Sequence, residues 1–424
     1  MSIRELTAVR DFRLLVTGQA LSWVGDAFHP IALSVAIVLA GGGAAELGII
    51  AASAMGARLL CTLLGGVWAD RLAPHRIMVV ADLVRAATAG ATALAFLLGD
   101  PPLALLAALA AVTSGAGAFF FPAFVSLRPL VVPAERRQDA NAAISFLQSA
   151  AQIAGPLLAG LVVAHAGPVA GFATNSATFV WSAISVALVR AGASRRTERT
   201  SVRAEIVEGL AEIRRHDWLW TGLVSAGMFH VATGVLVVLV EVTAVRDLGG
   251  AKTLGLVVAA QGVGGIVGGL LAMRLQPRRM LLWAFVALGL FPLFPLAFAW
   301  PGSLAGILVC GLLANAGLMF FAVGWDTALQ DGVPHDRLAR VASWDILISF
   351  SAIPLGNLLV GPISDRFPTS TVMAGVAVWM LVAGCWPLLV RGVRDFARGG
   401  GAPAVTPDDP SGVEPQPSAA IAAS

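Results

Sequence analysis

The sequence predicts an all-α membrane protein of twelve transmembrane helices, laid out as two parallel six-helix repeats. Three observations carry this fold class. Of 424 residues, 57% are hydrophobic and only 12% are charged, whereas a soluble domain carries roughly 25% charged residues. The apolar residues come in repeated stretches of about 20, the length that crosses the hydrocarbon of a bilayer. Two stretches some 200 residues apart also match each other, so one half of the chain repeats the other.

Runs broken by charge, Gly or Pro place the spans in order. The first, 14–39, follows Arg10, Asp11 and Arg13 and stops at three glycines. Spans 47–67 and 77–98 flank a charged turn, and 103–127 and 140–164 flank Arg128, Arg136 and Arg137. The sixth, 169–190, starts after Gly167-Pro168. A polar segment separates these from spans at 219–240, 254–272, 280–299, 303–326, 342–363 and 369–390. The domains expected are an N-terminal bundle over 1–190, a cytoplasmic linker over 191–217, a C-terminal bundle over 218–395 and a cytoplasmic tail over 396–424. From Gly399 onward the tail is rich in Pro, Ala, Gly and Ser without apolar period, the composition of a disordered segment.

Charge fixes the orientation. With the N-terminus in the cytoplasm, 23 of the 28 Lys and Arg residues fall on the cytoplasmic side. Arg246, Lys252 and Arg366 fall outside, and Arg58 and Arg85 lie within spans. The positive-inside rule therefore puts both termini in the cytoplasm of a bacterial cell membrane. The N-terminus lacks the short apolar core and cleavage site of a secretory signal, so the first span is expected to stay in the mature protein. The basic residues lie between apolar runs and not along one face, which excludes nucleic acid as a partner. Cys61, Cys310 and Cys385 all sit inside apolar runs, which gives neither a disulfide frame nor a zinc site.

The repeat is specific. Residues 65–76, GGVWADRLAPHR, match 268–279, GGLLAMRLQPRR, at seven of twelve positions. At a slightly different offset, Phe28-His29, Arg136, Gly155 and Gly160 meet Phe229-His230, Arg337, Gly356 and Gly361. Parallel six-helix repeats suit transporters that rock one half against the other around a midplane site.

At Gly66-Val-Trp-Ala-Asp70-Arg71, closed by Arg76, and at Arg10-Asp-Phe-Arg13 with Gly18-Gln19 and Gly25-Asp26, the chain resembles the major facilitator superfamily. The resemblance is to its branch of macrolide-efflux and enterobactin-type exporters, over roughly residues 8 to 395. It implies that Gly66, Asp70, Arg71 and Arg76 form a gating latch on the cytoplasmic side. In the second copy Met273 replaces the acid, leaving one complete latch. The run around Gly155, Pro156 and Gly160 resembles the superfamily's antiporter-associated signature in helix 5, although Ala151 and Ala159 stand where glycine is usual. Small residues there allow close helix approach, and a proline bends its helix.

An ionisable residue deep in a span is a functional hypothesis by default. Asp26 is the sharpest case: burial disfavours its charged form, so it could exchange a proton for a cationic substrate. The competing reading makes Asp26 a structural partner of Arg58 at the middle of the second span. Asp82 and Arg85, three residues apart, can pair on one helix face. His230 and Asn315 fall midway along helices 7 and 10, which line the central cavity if the family layout holds. Trp23, Phe119, Phe120 and Phe121 could wall that cavity. Asp326 and Asp345 are expected at cytoplasmic helix ends, in the latch of the second half.

No GxxxxGK[ST] loop or HExxH motif occurs, and no nucleophile–base set can be assembled. The expectation is a non-enzymatic, cofactor-free monomer: a proton-coupled (or sodium-coupled) exporter of small organic molecules such as drugs, macrolides, siderophores or secondary metabolites. The alternatives are a lipid or lysolipid translocator of the same fold, and a non-transporting membrane sensor or scaffold.

Overall fold

The computed structural model of the protein describes residues 9–69, 73–190 and 210–397; the side chains of 63–69, 335, 336 and 339 are not described. Among the described residues, eleven helices are long and apolar enough to cross a membrane. Fourteen α-helical pieces build them, with one more short helix beyond the last span, and their breaks follow proline and glycine chemistry.

Helix α1 (Arg10–Asp26) and α2 (Phe28–Leu39) form one crossing broken at Ala27. Pro30 has no N–H to give to the carbonyl of Asp26 four residues back, so the helix is interrupted where the acid sits. Helices α3 (Ala44–Ala69), α4 (Pro74–Leu98) and α5 (Leu103–Val131) follow. Helix α6 (Arg137–Ala187) runs for 51 residues and turns at Gly167, whose φ of 80° and ψ of 171° are not helical. A residue with a Cβ is strained at that φ. Pro168 follows directly.

Then come α7 (Asp217–Arg246), α8 (Ala251–Leu275), α9 (Met280–Leu288), α10 (Leu293–Ala299), α11 (Leu304–Gly332), α12 (His335–Ser351), α13 (Ile353–Ser364), α14 (Thr369–Cys385) and the short α15 (Arg391–Arg394). Gly289 and Pro292 separate α9 from α10, and Pro354 marks the α12–α13 break. Asp70 and Arg71, residues 191–209 and residues 398–424 lie outside the described residues.

Packing sorts the helices. Helices α1, α2 and α4 pack on α6, and α3 and α4 pack on α5; later in the chain α8 and α9 pack on α11, and α12, α13 and α14 pack on α7. The two sets meet where α6 crosses α8 and α13 crosses α3, with α2 against α7 beside them. Buried Phe12, Leu15, Met78, Phe124 and Ile144 make one core, and Trp218, Phe285, Phe294 and Phe396 anchor another. Many large apolar side chains face outward, among them Leu97 at 69% and Leu98 at 79% exposure. Water would penalise that surface at about 25 cal/mol per Å2, and lipid does not.

At one end, Glu212 is fixed against the start of α12. Its carboxylate accepts from Arg337 (2.5 Å), Arg215 (3.4 Å) and His216 (3.2 Å) while only 3% exposed. Burial alone would push this carboxyl up, but hydrogen bonds from Arg337 and His216, with their charges, outweigh it and hold Glu212 below its ordinary 4.5. Such a group stabilises the fold above its unfolded-state value and ceases to do so as pH falls through the folded one. The melting-temperature gap between the native protein and Glu212→Gln, measured in detergent, is therefore expected to be full near neutrality and to close on acidification below 4.5. A gap that stays constant into strong acid would contradict the pairing.

Candidate functional site

The site is built around one guanidinium. Arg85 of α4 gives Nη2–H to Asp26 Oδ1 at 2.5 Å and Nη1–H to Asp82 Oδ1 at 3.4 Å. Its plane lies over the ring of Phe179, 3.8 Å from the centroid, with Phe120 at 5.6 Å. The rings face a cation with their negative quadrupole and fix it between the two acids. Helices α1 and α4 both pack on α6, which puts Phe179 of α6 between them and lets Arg85 reach across.

The two carboxylates sit in different environments. Asp82 is fully buried, and its Oδ2 has no hydrogen-bond partner among the described residues. Gln19, also buried, donates to Ser182 Oγ at 3.0 Å and keeps an unpartnered Oε1. Asp26 instead keeps 43% of its side chain open.

The predicted pairing of Asp82 with Arg85 is present. The partner of Asp26, however, is Arg85 and not Arg58. Helix α3 packs on α5 and α13, away from α1, so Arg58 reaches Asp26 only through its charge. His230 contacts its own helix, Nδ1 to the Ala226 carbonyl at 2.7 Å, with Phe350 against the ring. Asn315 donates to the Gln261 carbonyl of α8 at 2.6 Å. Neither is brought to Asp26, and both serve helix packing as placed. Asp345 accepts from Trp325 Nε1 at 3.1 Å and Ser349 at 3.3 Å. Of the expected latch, Arg76 is exposed in the first turn of α4 and Gly66 lies in α3; Asp70 and Arg71 are outside the described residues.

The helix 5 signature lies at close crossings. A Cβ on Gly155 would meet Ala27 and Val24 of the α1–α2 break, and one on Gly160 would meet Ala251 and Gly255 of α8. Gly361, the repeat mate of Gly160, would meet Ala45 at the start of α3 in the same way. Proline at 156 turns its carbonyl toward Gly255. The named contacts between the two helix sets, together with Arg246 Nη2 donating to the Gly42 carbonyl at 3.0 Å, gather toward the end that carries loops 40–43 and 247–250.

Sequence reasoning missed Phe179, Ser182 and Glu241. Phe179 and Ser182 are unremarkable inside an apolar run, and only the fold shows that α6 separates α1 from α4. Glu241 had a signal: it interrupts an apolar run that resumes through Val245, just beyond the expected span boundary. In the structure its Oε2 lies 2.8 Å from Ser34 Oγ of α2.

The family described as Major Facilitator Superfamily matches residues 15–356. The chain is 25% identical to the multidrug efflux pump Tap of Mycolicibacterium fortuitum over 401 residues, 90% of this chain and 96% of the relative. It is 25% identical to macrolide efflux protein A of Streptococcus pyogenes over 327 residues, 75% and 79% of the two chains. Among solved structures, a bacterial homologue of the iron transporter ferroportin superposes with a TM-score of 0.70 at 17% identity, covering 92% of this chain and 98% of that one. A bacterial homologue of the human lysosomal transporter Spinster gives 0.71 at 14% identity, covering 95% and 100%. At those identities the structural likeness shows the fold alone.

Proposed function

The chain belongs to the Major Facilitator Superfamily, a family of transporters and not of enzymes, and from that premise we propose that it is a proton-coupled exporter of small organic molecules. The observation that carries the reading is one cation shared by two carboxylates. With Asp26 and Asp82 both ionised, the Arg85 cluster has a net charge of −1; one proton, or one cationic group of a cargo, neutralises it. Proton and cargo can therefore compete for one charge deficit, as exchange requires. The printed names of the relatives, a multidrug efflux pump and a macrolide efflux protein, favour export of drug-like molecules, macrolides among them.

The working architecture is twelve crossings in two six-helix lobes, 1–190 and 218–395, with α6 counted as two crossings turned at Gly167. The equivalent contacts of Gly160 on α8 and Gly361 on α3 support the repeat. With both termini cytoplasmic, as the positive charges suggest, the closely packed end faces outward and the exposed side of Asp26 is reached from the cytoplasm. A monomer suffices, since the site uses one chain. Proton and cargo must bind the two states differently to move them. Asp26, Asp82 and Arg85 are the coupling residues; Arg58 supports Asp26 from a distance, His230 and Asn315 hold helices beside the path, and the latch at Gly66, Asp70, Arg71 and Arg76 acts at the cytoplasmic end.

In proteoliposomes given a pH gradient, Asp26→Asn is expected to abolish efflux of a lipophilic cationic dye and of a macrolide while the amount of folded protein is unchanged. Gradient-driven transport at the native rate would remove Asp26 from the mechanism. Gradient-independent flux of phospholipid, with no drug transport, would favour a lipid translocator instead.

A further inference from the structure

Glu241 lies outside the Arg85 cluster, in the seam where the two halves meet. Ser34 Oγ is 2.8 Å from Glu241 Oε2 across that seam and 2.8 Å from the Pro30 carbonyl on its own helix. Both distances are those of O–H···O hydrogen bonds. A serine hydroxyl has one hydrogen, and a carbonyl and an ionised carboxylate have none to give. Two full two-centre bonds on one hydroxyl need two hydrogens, and of the three groups only Glu241 can carry the second.

We infer that Glu241 is a proton-binding site of the seam: with this end closed, its carboxyl carries a proton and donates it to Ser34 Oγ, which donates in turn to the Pro30 carbonyl. When the halves part here, Ser34 leaves with α2 and water reaches the carboxyl. The carboxyl O–H then breaks, the proton passes to water on that side, and a hydrated carboxylate remains on α7. Closing the seam reverses the step.

No other charge does this work. Arg246, on the same helix, donates to the Gly42 carbonyl; Glu46, at the start of α3, accepts from the Gly43 amide; His29 of α2 lies against Phe172. Neither these groups nor Lys252 at the start of α8 forms an ion pair with Glu241 among the described residues. The Ser34 side chain is fully buried, so bulk water does not replace it while the seam is shut. The pH response assigned here concerns this end alone; it rests on the two-lobe reading but not on Asp26 being the coupling acid.

The test reads the seam directly. Ala45 packs against Gly361 when this end is closed and is only partly exposed, and Asp100 is exposed in the loop between α4 and α5. With Cys61, Cys310 and Cys385 replaced by alanine in the full chain, Ala45→Cys is reacted with a membrane-impermeant maleimide. Its rate is divided by that of Asp100→Cys to cancel thiol ionisation. Because the closed form holds one more proton than the open form, the closed population falls as pH rises, by up to about tenfold per pH unit. The normalised rate is expected to rise accordingly. Glu241→Gln, which keeps a neutral donor toward Ser34, is expected to give a low rate at every pH. A flat profile in the parent, or a persisting slope in Glu241→Gln, overturns the assignment.

Should Glu241→Gln fail to reach the membrane, Ser34→Ala decides. Loss of the acceptor should raise the acid-side rate toward the alkaline value of the parent, and an unchanged profile overturns the proposal. If the maleimide reaches Ala45→Cys only from the side of the N-terminus, the orientation proposed above falls, while the pH response still reads Glu241.

Discussion

Arg85→Ala is expected to end coupled transport and to lower the amount of folded protein, whereas Arg85→Lys should restore the protein without restoring full coupling. Alanine leaves Asp82 fully buried beside Asp26 with no cation between them, and it strips the cation from the ring of Phe179. Removing one member of a buried charge pair typically costs about 3–5 kcal/mol. That is a large share of the stability of most folds. Lysine keeps the charge, but a single ammonium cannot present the two separate N–H groups that reach both acids, so specificity for proton against cargo should suffer. Thermal unfolding followed by size-exclusion chromatography measures the first effect, and proteoliposome flux the second. Adding Asp82→Asn to Arg85→Ala should recover part of the lost protein, because the uncompensated buried acid is then gone; strict additivity of the two changes would deny that they share one site. Native flux in Arg85→Ala would refute the charge count behind the exchange mechanism.

How much of this was legible in the sequence follows from what each feature depends on. The spans were legible because each is a local matter of length and apolarity, and the breaks at Pro30, Gly167 and Pro168 are written in single residues. The pairing of Asp82 with Arg85 was legible for the same reason, since a spacing of three residues on a helix brings two side chains together. Asp26 stood out as an acid inside a span, but its contact with Arg85 did not. Choosing Arg85 over Arg58 needs to know that α1 and α4 lean on opposite sides of Phe179, which is a property of three helices distant in sequence. His230 and Asn315 are the converse case. Their depth along the helices suggested a role in the cavity, yet each is occupied by a backbone carbonyl, and depth along a helix says nothing about which way a side chain points. Glu241 was passed over because a boundary drawn at residue 240 made it a loop residue, when α7 in fact continues to Arg246.

Gly255→Val should separate closing from folding. At the crossing of α6 and α8, a Cβ on Gly255 is driven into the backbone carbonyl of Pro156 and close to Cα of Gly160. Neither obstacle is a flexible side chain that can swing aside, so the helices must move apart. This crossing joins the two helix sets and not members of one set. The variant is therefore expected to reach the membrane in native amounts, to lose efflux, and to leave Ala45→Cys open to maleimide at all pH values. Gly268→Val makes a backbone clash of the same kind inside one set, where α8 meets the Ala316 carbonyl of α11. Overpacking of a filled core costs about 1–3 kcal/mol and more where backbone must shift, so that variant should lose folded protein instead. If Gly255→Val transports normally, the halves do not need to close at this crossing. If it is as poorly folded as Gly268→Val, the crossing is a permanent part of the core, and a rocking motion about it is excluded.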